Sequence, residues 1–238
     1  MKVRVKDTFN LLAHIYEHKV DTTSLYNNEY ERPSMLKQLP DDLTDKKVLD
    51  AGCAAGWYTD QLVKRGANVV ATDISPEMVA ATKRRVGLKA EVVCLDLETV
   101  MPFEDNTFDI IVSSLTLHYV KEWSQTFREF RRILKRKGVL LFSVHHPFMD
   151  IKMSQNKDYF STELIIDTWK KEGREIEVPF YRRPIHSILN ETMRHFTIEN
   201  VIEPQPTTNF KLQARENYEK LMKNPHFLII RAINKGGN

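Results

Sequence analysis

Cysteine is nearly missing from this sequence. Cys53 and Cys94 are the only two in 238 residues, and neither stands in a CxxC or a Cys/His spacing that holds zinc or an iron–sulfur cluster. A disulfide framework is excluded, and a reducing compartment is the expectation. Long apolar runs are absent as well: no stretch approaches the ~18 residues that a bilayer span requires. The start is basic at Lys2, Arg4 and Lys6 but lacks the apolar core of a secretory signal. A cytoplasmic protein without a membrane partner is therefore expected. Charge of one sign is scarce in excess, since 35 basic against 32 acidic side chains leave a formal +3. That is not the concentrated basic face by which nucleic-acid binding announces itself. The densest basic stretch, Arg128 to Lys137, is interleaved with Phe130, Ile133 and Leu134 and reads as an amphipathic helix with a solvated outer face. Internal repeats and low-complexity segments are also lacking.

What is present is core-forming material. With 42% hydrophobic and 10% aromatic residues, the chain buries a substantial interior, which a disordered chain would not. Its length suits one large domain with embellishments. Residues 1–46 read as a helical preamble punctuated by Pro33 and Pro40. From Lys47 the pattern changes to short apolar runs separated by helix-length segments: Val48-Leu49, Val69 to Thr72, Glu91 to Leu95, Phe108 to Ser114 and Gly138 to Val144. Helices are predicted at Tyr58 to Arg65, at Ser75-Pro76-Glu77 onward to about Val86, and at Trp123 to Leu134. Runs that are apolar throughout fit strands covered on both faces, so the segments predict βαβ units and a parallel sheet. Residues 146–184 break this rhythm with Tyr159, Trp169 and Tyr181-Arg182-Arg183-Pro184. An insertion of that length after a sheet strand predicts a functional lid. Beyond it, Ile185 to Arg194 and about Phe210 to Lys223 read as helices, and Phe196 to Glu203 and His226 to Ile233 as strands.

Three acidic residues, Asp50, Asp73 and Asp96, stand at successive predicted strand ends. Right-handed crossovers bring such ends to one edge of an open sheet, where these folds bind ligands. Each aspartate alone has a plainer reading as a helix cap; three in register beside a small-residue turn point to a site. The turn Asp50-Ala51-Gly52-Cys53-Ala54-Ala55-Gly56 lets the backbone bend sharply and a ligand approach it. A helix starting near Trp57 then offers unpaired N–H groups to an anionic group.

The stretch Val48 to Gly56 resembles the first conserved motif of the class I S-adenosylmethionine-dependent methyltransferases. The departure is Ala54, where the family more often has glycine, a change the turn tolerates provided that position needs no positive φ. The resemblance runs in order through roughly 47–145. It implies a doubly wound, Rossmann-like α/β fold with a seven-stranded, mostly parallel sheet, and S-adenosylmethionine as cofactor. It further implies a cofactor site built from Asp50, Ala51, Gly52 and Gly56 of the turn, with Asp73 accepting from both ribose hydroxyls. Ile74 and Met78 would pack near the adenine, Asp96 and Leu97 would read its edge, and Ser113 at the end of Phe108–Ser114 would lie beside the methionine part. In the small-molecule group of the family, resembled by Leu115-Thr116-Leu117-His118-Tyr119-Val120, Tyr30-Glu31-Arg32-Pro33 and His145-His146-Pro147-Phe148, N-terminal helices close over the cofactor. Tyr16, Tyr26 or Tyr30 would then cover the sulfonium, a contact that suits an aromatic face. The chain thus divides into a cap (1–46), a cofactor domain (47–145 and 185–238) and an inserted lid (146–184).

Methyl transfer is an in-line displacement, so positioning is the main demand, and a base is needed only where the acceptor must lose a proton. His146 and His118 are the candidate bases; His145, Tyr181, Arg183 and Trp169 are the candidate substrate contacts. Arg183 suits an acidic group through a bidentate contact. The acceptor is expected to be a small molecule rather than nucleic acid, because the Asn/Asp-Pro-Pro-Tyr/Phe signature of amino-methylating enzymes is absent after the fourth strand. No metal is expected. Two other readings stand beside this one. An NAD(P)-dependent oxidoreductase shares the acidic second strand end, but its G-x-G-x-x-G fingerprint would fall on Ala54 and Trp57. A cofactor-binding protein without turnover is the second. Oxygen, nitrogen and carbon acceptors, and any oligomeric state, stay open at this point.

Overall fold

The computed structural model describes residues 2–236. Five parallel strands, β1 (Lys47–Ala51), β2 (Asn68–Asp73), β3 (Ala90–Cys94), β4 (Phe108–Ser114) and β5 (Leu134–His145), form most of one sheet. Two later strands, β8 (Thr197–Ile202) and β9 (Phe227–Ile233), complete it, and the strand order is β3-β2-β1-β4-β5-β9-β8. Strand β9 inserts antiparallel between β5 and β8. The expected seven-stranded, mostly parallel sheet is therefore present.

The apolar runs become strands because each buries both faces, and successive residues feed opposite layers. On one face Leu49, Val70, Ile111, Leu140 and Phe142 pack with Trp123, Phe127 and Phe130 of helix α6 (Trp123–Ile133). On the other, Val48, Val69, Ile110 and Leu141 pack with Tyr58 and Leu62 of α4 (Trp57–Lys64). Helix α5 (Pro76–Val86) starts where predicted: the Ser75 hydroxyl accepts the Met78 N–H at 3.1 Å and Pro76 opens the first turn. The order reverses between β1 and β4, so their loops diverge and leave a crevice at the carboxyl ends.

The N-terminal segment runs as α1 (Lys2–Ile15), a π-helical turn (Tyr16–Val20), α2 (Asp21–Thr23), a second π-helical turn (Asn27–Glu31) and α3 (Arg32–Leu36). It lies across the crevice and is pinned on two sides. Glu17 accepts from Arg84 of α5 at 2.7 and 2.8 Å, and Arg4 pairs with Glu177 of the inserted segment. That segment holds the short helix α7 (Pro147–Asp150) and a two-stranded antiparallel hairpin, β6 (Glu163–Lys171) and β7 (Arg174–Arg182). Its two-residue turn, Glu172-Gly173, has φ of 50° and 74°, the left-handed pair that matches hairpin twist. Inward-facing Ile176 and Val178 share a core cluster with Leu12 and Ala13 of α1.

After α8 (Ile185–His195), the helix expected over about 210–223 is instead two, α9 (Thr208–Gln213) and α10 (Arg215–Leu221). Ala214, at φ −149° and ψ 69°, breaks them apart, and no proline or glycine marks the break. Among the described residues no helix is long and apolar enough to cross a membrane.

Candidate functional site

A cavity of about 950 Å³ opens above the carboxyl ends of the parallel strands. Its floor is the turn after β1. There the Gly52 and Cys53 N–H groups both donate to the Thr72 carbonyl, at 2.8 and 2.9 Å, bending the chain back over β2. Gly52 has φ +85°, and a Cβ on it would lie 2.2 Å from the Thr116 hydroxyl, so no other residue fits. Ala54 has φ +47°. The position does require a left-handed backbone, and alanine occupies it at a cost that glycine would not incur. The strain is held in place because the Ala54 N–H donates to Asp73 at 3.0 Å and its carbonyl accepts from Thr82 at 2.7 Å.

Asp73, at the end of β2, lines the cavity. One carboxylate oxygen accepts the Ala54 N–H and the other the Ser75 N–H. Each oxygen keeps a further lone pair, so both can accept from a ligand at once. Burial pushes this carboxyl up to about 6 in spite of its backbone donors. Ile74 lies beside it on the wall, and Asp96 and Leu97 after β3 form the adjoining stretch. The Asp96 carboxylate accepts the Glu98 N–H at 2.9 Å.

Asp50 does not join this rim. Its carboxylate points beneath the turn, is fully buried, and accepts the Thr59 hydroxyl of α4 at 2.6 Å. Burial pushes it up to about 7. Ala51 and Gly56 likewise support the turn without lining the cavity, although Gly52 lines it. Met78 is wholly buried against α1 rather than at the ligand face. Ser113 turns inward to donate to the Ala51 carbonyl at 2.8 Å; its neighbour Ser114 is the one on the cavity wall.

The N-terminal segment behaves similarly. Tyr30 sits in a closed apolar cluster with Phe210, Leu221 and Phe227, and its hydroxyl accepts the His226 N–H at 3.1 Å. It does not cover the cavity; Tyr16 and Tyr26 line it, and burial pushes the Tyr16 phenol up to about 12. The two residues after Tyr30 carry the polar work. Glu31 is buried and accepts hydroxyls from Tyr58, Ser114 and Ser143 at 2.8, 2.8 and 2.6 Å. Arg32 lines the cavity, held by Asp21 at 2.9 Å and Asn28 at 2.6 Å, with its guanidinium 4.0 Å above the Trp57 ring. Within the Tyr-Glu-Arg-Pro string it is therefore Arg32, not the expected Tyr30, that reaches the cavity.

The histidines divide. His146 is turned away: Nδ1 accepts the Phe148 N–H at 3.1 Å as the cap of α7, and Nε2 lies 2.9 Å from Glu203. It is a helix cap, not a base facing the cleft. His145 lines the cavity, with His118 stacked on it at 4.0 Å between ring centroids. His118 is buried and neither of its ring nitrogens has a hydrogen-bond partner. His226, absent from the sequence-based candidates, also lines the cavity.

Of the proposed substrate contacts, Trp169 lines the cavity from β6, its indole N–H donating to Asp167 at 2.8 Å. Arg183 does not. Its guanidinium is spent on the Val120 carbonyl at 2.6 Å and the Lys121 carbonyl, tying the hairpin to the loop before α6, and it stacks 4.9 Å from Trp123. Tyr181 packs against the outer side of that same guanidinium. Among the described residues no group of three or more His, Cys, Asp or Glu is placed to hold a metal.

A doubly wound sheet whose cleft offers a carboxylate after its second strand and a glycine turn after its first defines a protein that binds an adenine nucleoside cofactor. Comparison with known proteins narrows that class. Residues 49–142 match a family model described as a methyltransferase domain. An S-adenosylmethionine-dependent methyltransferase structure from Mesorhizobium loti is 26% identical, with a TM-score of 0.68 over 86% of this chain and 97% of that one. A 1,6-didemethyltoxoflavin-N1-methyltransferase from Burkholderia thailandensis, solved with S-adenosylhomocysteine bound, shares the fold at 16% identity and TM-score 0.64, over 98% of this chain and 88% of that one. A malonyl-[acyl-carrier protein] O-methyltransferase from Hamiltonella defensa is 28% identical over 60% of this chain, a match that spans about half of that relative, 52%. Residues 49–142 thus form a methyltransferase domain, set in the fold and cofactor cleft of an S-adenosylmethionine-dependent enzyme.

Proposed function

We propose that this methyltransferase acts on a small molecule held between the cofactor and the inserted hairpin. The observation that carries the reading is one cavity lined both by Asp73 and Asp96 and by Tyr119, Trp169 and His145. Its volume of about 950 Å³ is at the top of the roughly 300–1,000 Å³ typical of ligand sites, enough for a nucleoside cofactor and a second ligand together.

In this reading the free lone pairs of Asp73 accept from the two ribose hydroxyls, Ile74 packs on the adenine, and Asp96 with the Leu97 N–H reads its edge. The backbone of the turn approaches the methionine portion closely, and Arg32 is the cation available to its carboxylate. The donor set suits such a ligand, with acceptors for its hydroxyls, a cation for its acid and aromatic faces for its sulfonium. Bound S-adenosylmethionine supplies an electrophilic methyl on positively charged sulfur. The protein's part is to exclude water and align the acceptor, and residues 146–184 with Tyr16 and Tyr119 form that enclosure.

Titration calorimetry with S-adenosylhomocysteine and, separately, NADH tests the cofactor assignment, with binding expected for the first alone. Incubation with S-adenosyl-[methyl-³H]methionine and the low-molecular-weight filtrate of a cell extract tests the acceptor class. Label is expected in that filtrate; label confined to the macromolecular fraction of unfiltered extract would overturn the small-molecule reading.

A further inference from the structure

Cofactor binding leaves one arrangement at the end of β5 unused. His145 faces the cavity, and its Nδ1 stands 3.6 Å from a carboxylate oxygen of Asp150 in α7. Asp150 is buried behind the ring and does not line the cavity. A ring with Nδ1 toward a buried carboxyl leaves Nε2 as the nitrogen available to a ligand. Two neighbours fix its plane: His118 is stacked on it at 4.0 Å and 18°, and Phe180 meets it edge-on at 4.9 Å and 83°.

The geometry points to His145 as the base that takes a proton from an O–H or N–H acceptor, with Asp150 as the positioning residue that receives a proton from the other ring nitrogen. This rests on the methyl-transfer reading above. The acceptor's X–H bond breaks and its electron pair stays on X for the new bond to methyl. The proton goes to Nε2, the Nδ1 proton passes to the Asp150 carboxylate, and the negative charge lost there offsets the positive charge lost at sulfur. The 3.6 Å gap is longer than a hydrogen bond, and the transfer requires the two groups to close to hydrogen-bond length in the loaded enzyme.

The surroundings explain why the proton moves on. Burial, reinforced by His226, pulls the His145 ring down to about 3. Burial drives Asp150 up to about 8, with Arg182 of β7 opposing and Asp167 of β6 reinforcing. The stacked His118 is kept neutral by burial, by His145 and by Arg183. Without cofactor the carboxyl holds its own proton near neutral pH; the positive sulfur of the bound cofactor favours the ionised carboxylate from which the step starts, and the proton taken from the acceptor then rests there. An acceptor already ionised at neutral pH, such as a free carboxylate, would make no use of it. The acceptor class is thus a hydroxyl or an N–H compound.

Binding of a cation beside the pair lowers the Asp150 pKa and so releases protons, which a neutral ligand does not do. Calorimetry at pH 7.5 in buffers of different ionisation enthalpy measures this. S-adenosylmethionine is expected to release roughly half a proton more than S-adenosylhomocysteine, and Asp150→Asn is expected to erase the difference. Equal release for the two ligands, or a difference that survives in Asp150→Asn, would overturn the pairing. Should the variant fold poorly, the Asp150 carboxyl ¹³C resonance in the wild-type protein serves instead, with a midpoint near 8 expected and one below about 5 refuting it. For the base itself, His145→Phe preserves the stack. It is expected to bind S-adenosylhomocysteine within about twofold of wild type and to lose 10²- to 10⁴-fold in label transfer to the extract filtrate. Transfer within tenfold of wild type would remove His145 from the role. If neither cofactor form binds the wild-type protein, the methyltransfer reading itself has failed, which is a separable result.

Discussion

Ala54→Gly is expected to stabilise the protein, and Gly52→Ala, two residues away in the same turn, to destabilise it severely. At φ +47° an alanine Cβ crowds the following carbonyl, a cost of roughly 1–2 kcal/mol that glycine does not bear. Glycine's extra freedom in the unfolded chain takes back about 0.4–1 kcal/mol, leaving a net gain of around 0.8 kcal/mol. For a chain of this size that corresponds to about 2–3 °C in Tm. Gly52→Ala recovers that unfolded-state term but meets two larger penalties: φ is +85° and the new methyl would meet the Thr116 side chain at 2.2 Å. Thr116 is anchored by hydrogen bonds to the Gly52 and Ser114 carbonyls, so it does not simply swing away. A loss of about 3 kcal/mol or more follows. Calorimetric melting of both variants without ligand gives the comparison. A fall in Tm for Ala54→Gly, or an unchanged Tm for Gly52→Ala, would refute the turn geometry from which both are derived.

Asp73→Asn is expected to weaken S-adenosylhomocysteine binding by about 10- to 100-fold in calorimetry, because charge-assisted bonds to two hydroxyls are worth about 1.5–3 kcal/mol over their absence; affinity within twofold would remove Asp73 from the ribose. Glu31→Ala leaves the buried hydroxyls of Tyr58 and Ser143 and the half-buried one of Ser114 without their acceptor, and about 3 kcal/mol of stability should disappear in urea unfolding. Asp50 gives a pH signature. Burial raises its folded pKa from 3.8 to about 7, so its contribution is complete below pH 4 and is lost as pH rises toward 7. Asp50→Asn escapes that loss, and its stability relative to wild type should increase between pH 5 and pH 8, measured as the shift in urea midpoint; a relative decrease would contradict the burial. His145 and His226, pulled down to about 3 and 4, act oppositely, withdrawing stability as pH falls below about 6.5. They are unchanged in the Asp50 comparison and cancel from it.

The sheet was legible because its signal is redundant: five apolar runs, each with a helix between, admit few arrangements. The hairpin was not, although Leu164, Ile166 and Thr168 are exposed and alternate with Ile165, Asp167 and Trp169. Charged and aromatic residues obscure that alternation in a two-stranded sheet that buries only one face. At the cavity, several sequence choices fall one or two residues from the side chain that arrives there: Tyr30 for Arg32, Ser113 for Ser114, and His146 for His145 as the histidine at the cleft. The reason is geometric. Along β4 successive side chains point to opposite faces, so Ser113 meets the Ala51 carbonyl while Ser114 meets the cavity. On the helical stretch around residue 30 each step turns the side chain by about 100°, which sends Tyr30 into the Phe210 cluster and its neighbours toward the sheet. After β5 the strand ends between the two histidines, and His146 is taken by the first turn of α7. A sequence string marks the element that approaches the ligand, but the face depends on register, and register is decided by distant partners: Ala51 for Ser113, Phe210 for Tyr30, Glu203 for His146. Substitutions of paired neighbours therefore test the site more sharply than substitutions of the strings. Ser113→Ala should act on stability with cofactor affinity unchanged, and Arg32→Ala on affinity, so a Ser113 variant that folds normally but fails to bind would reverse the assignment of faces.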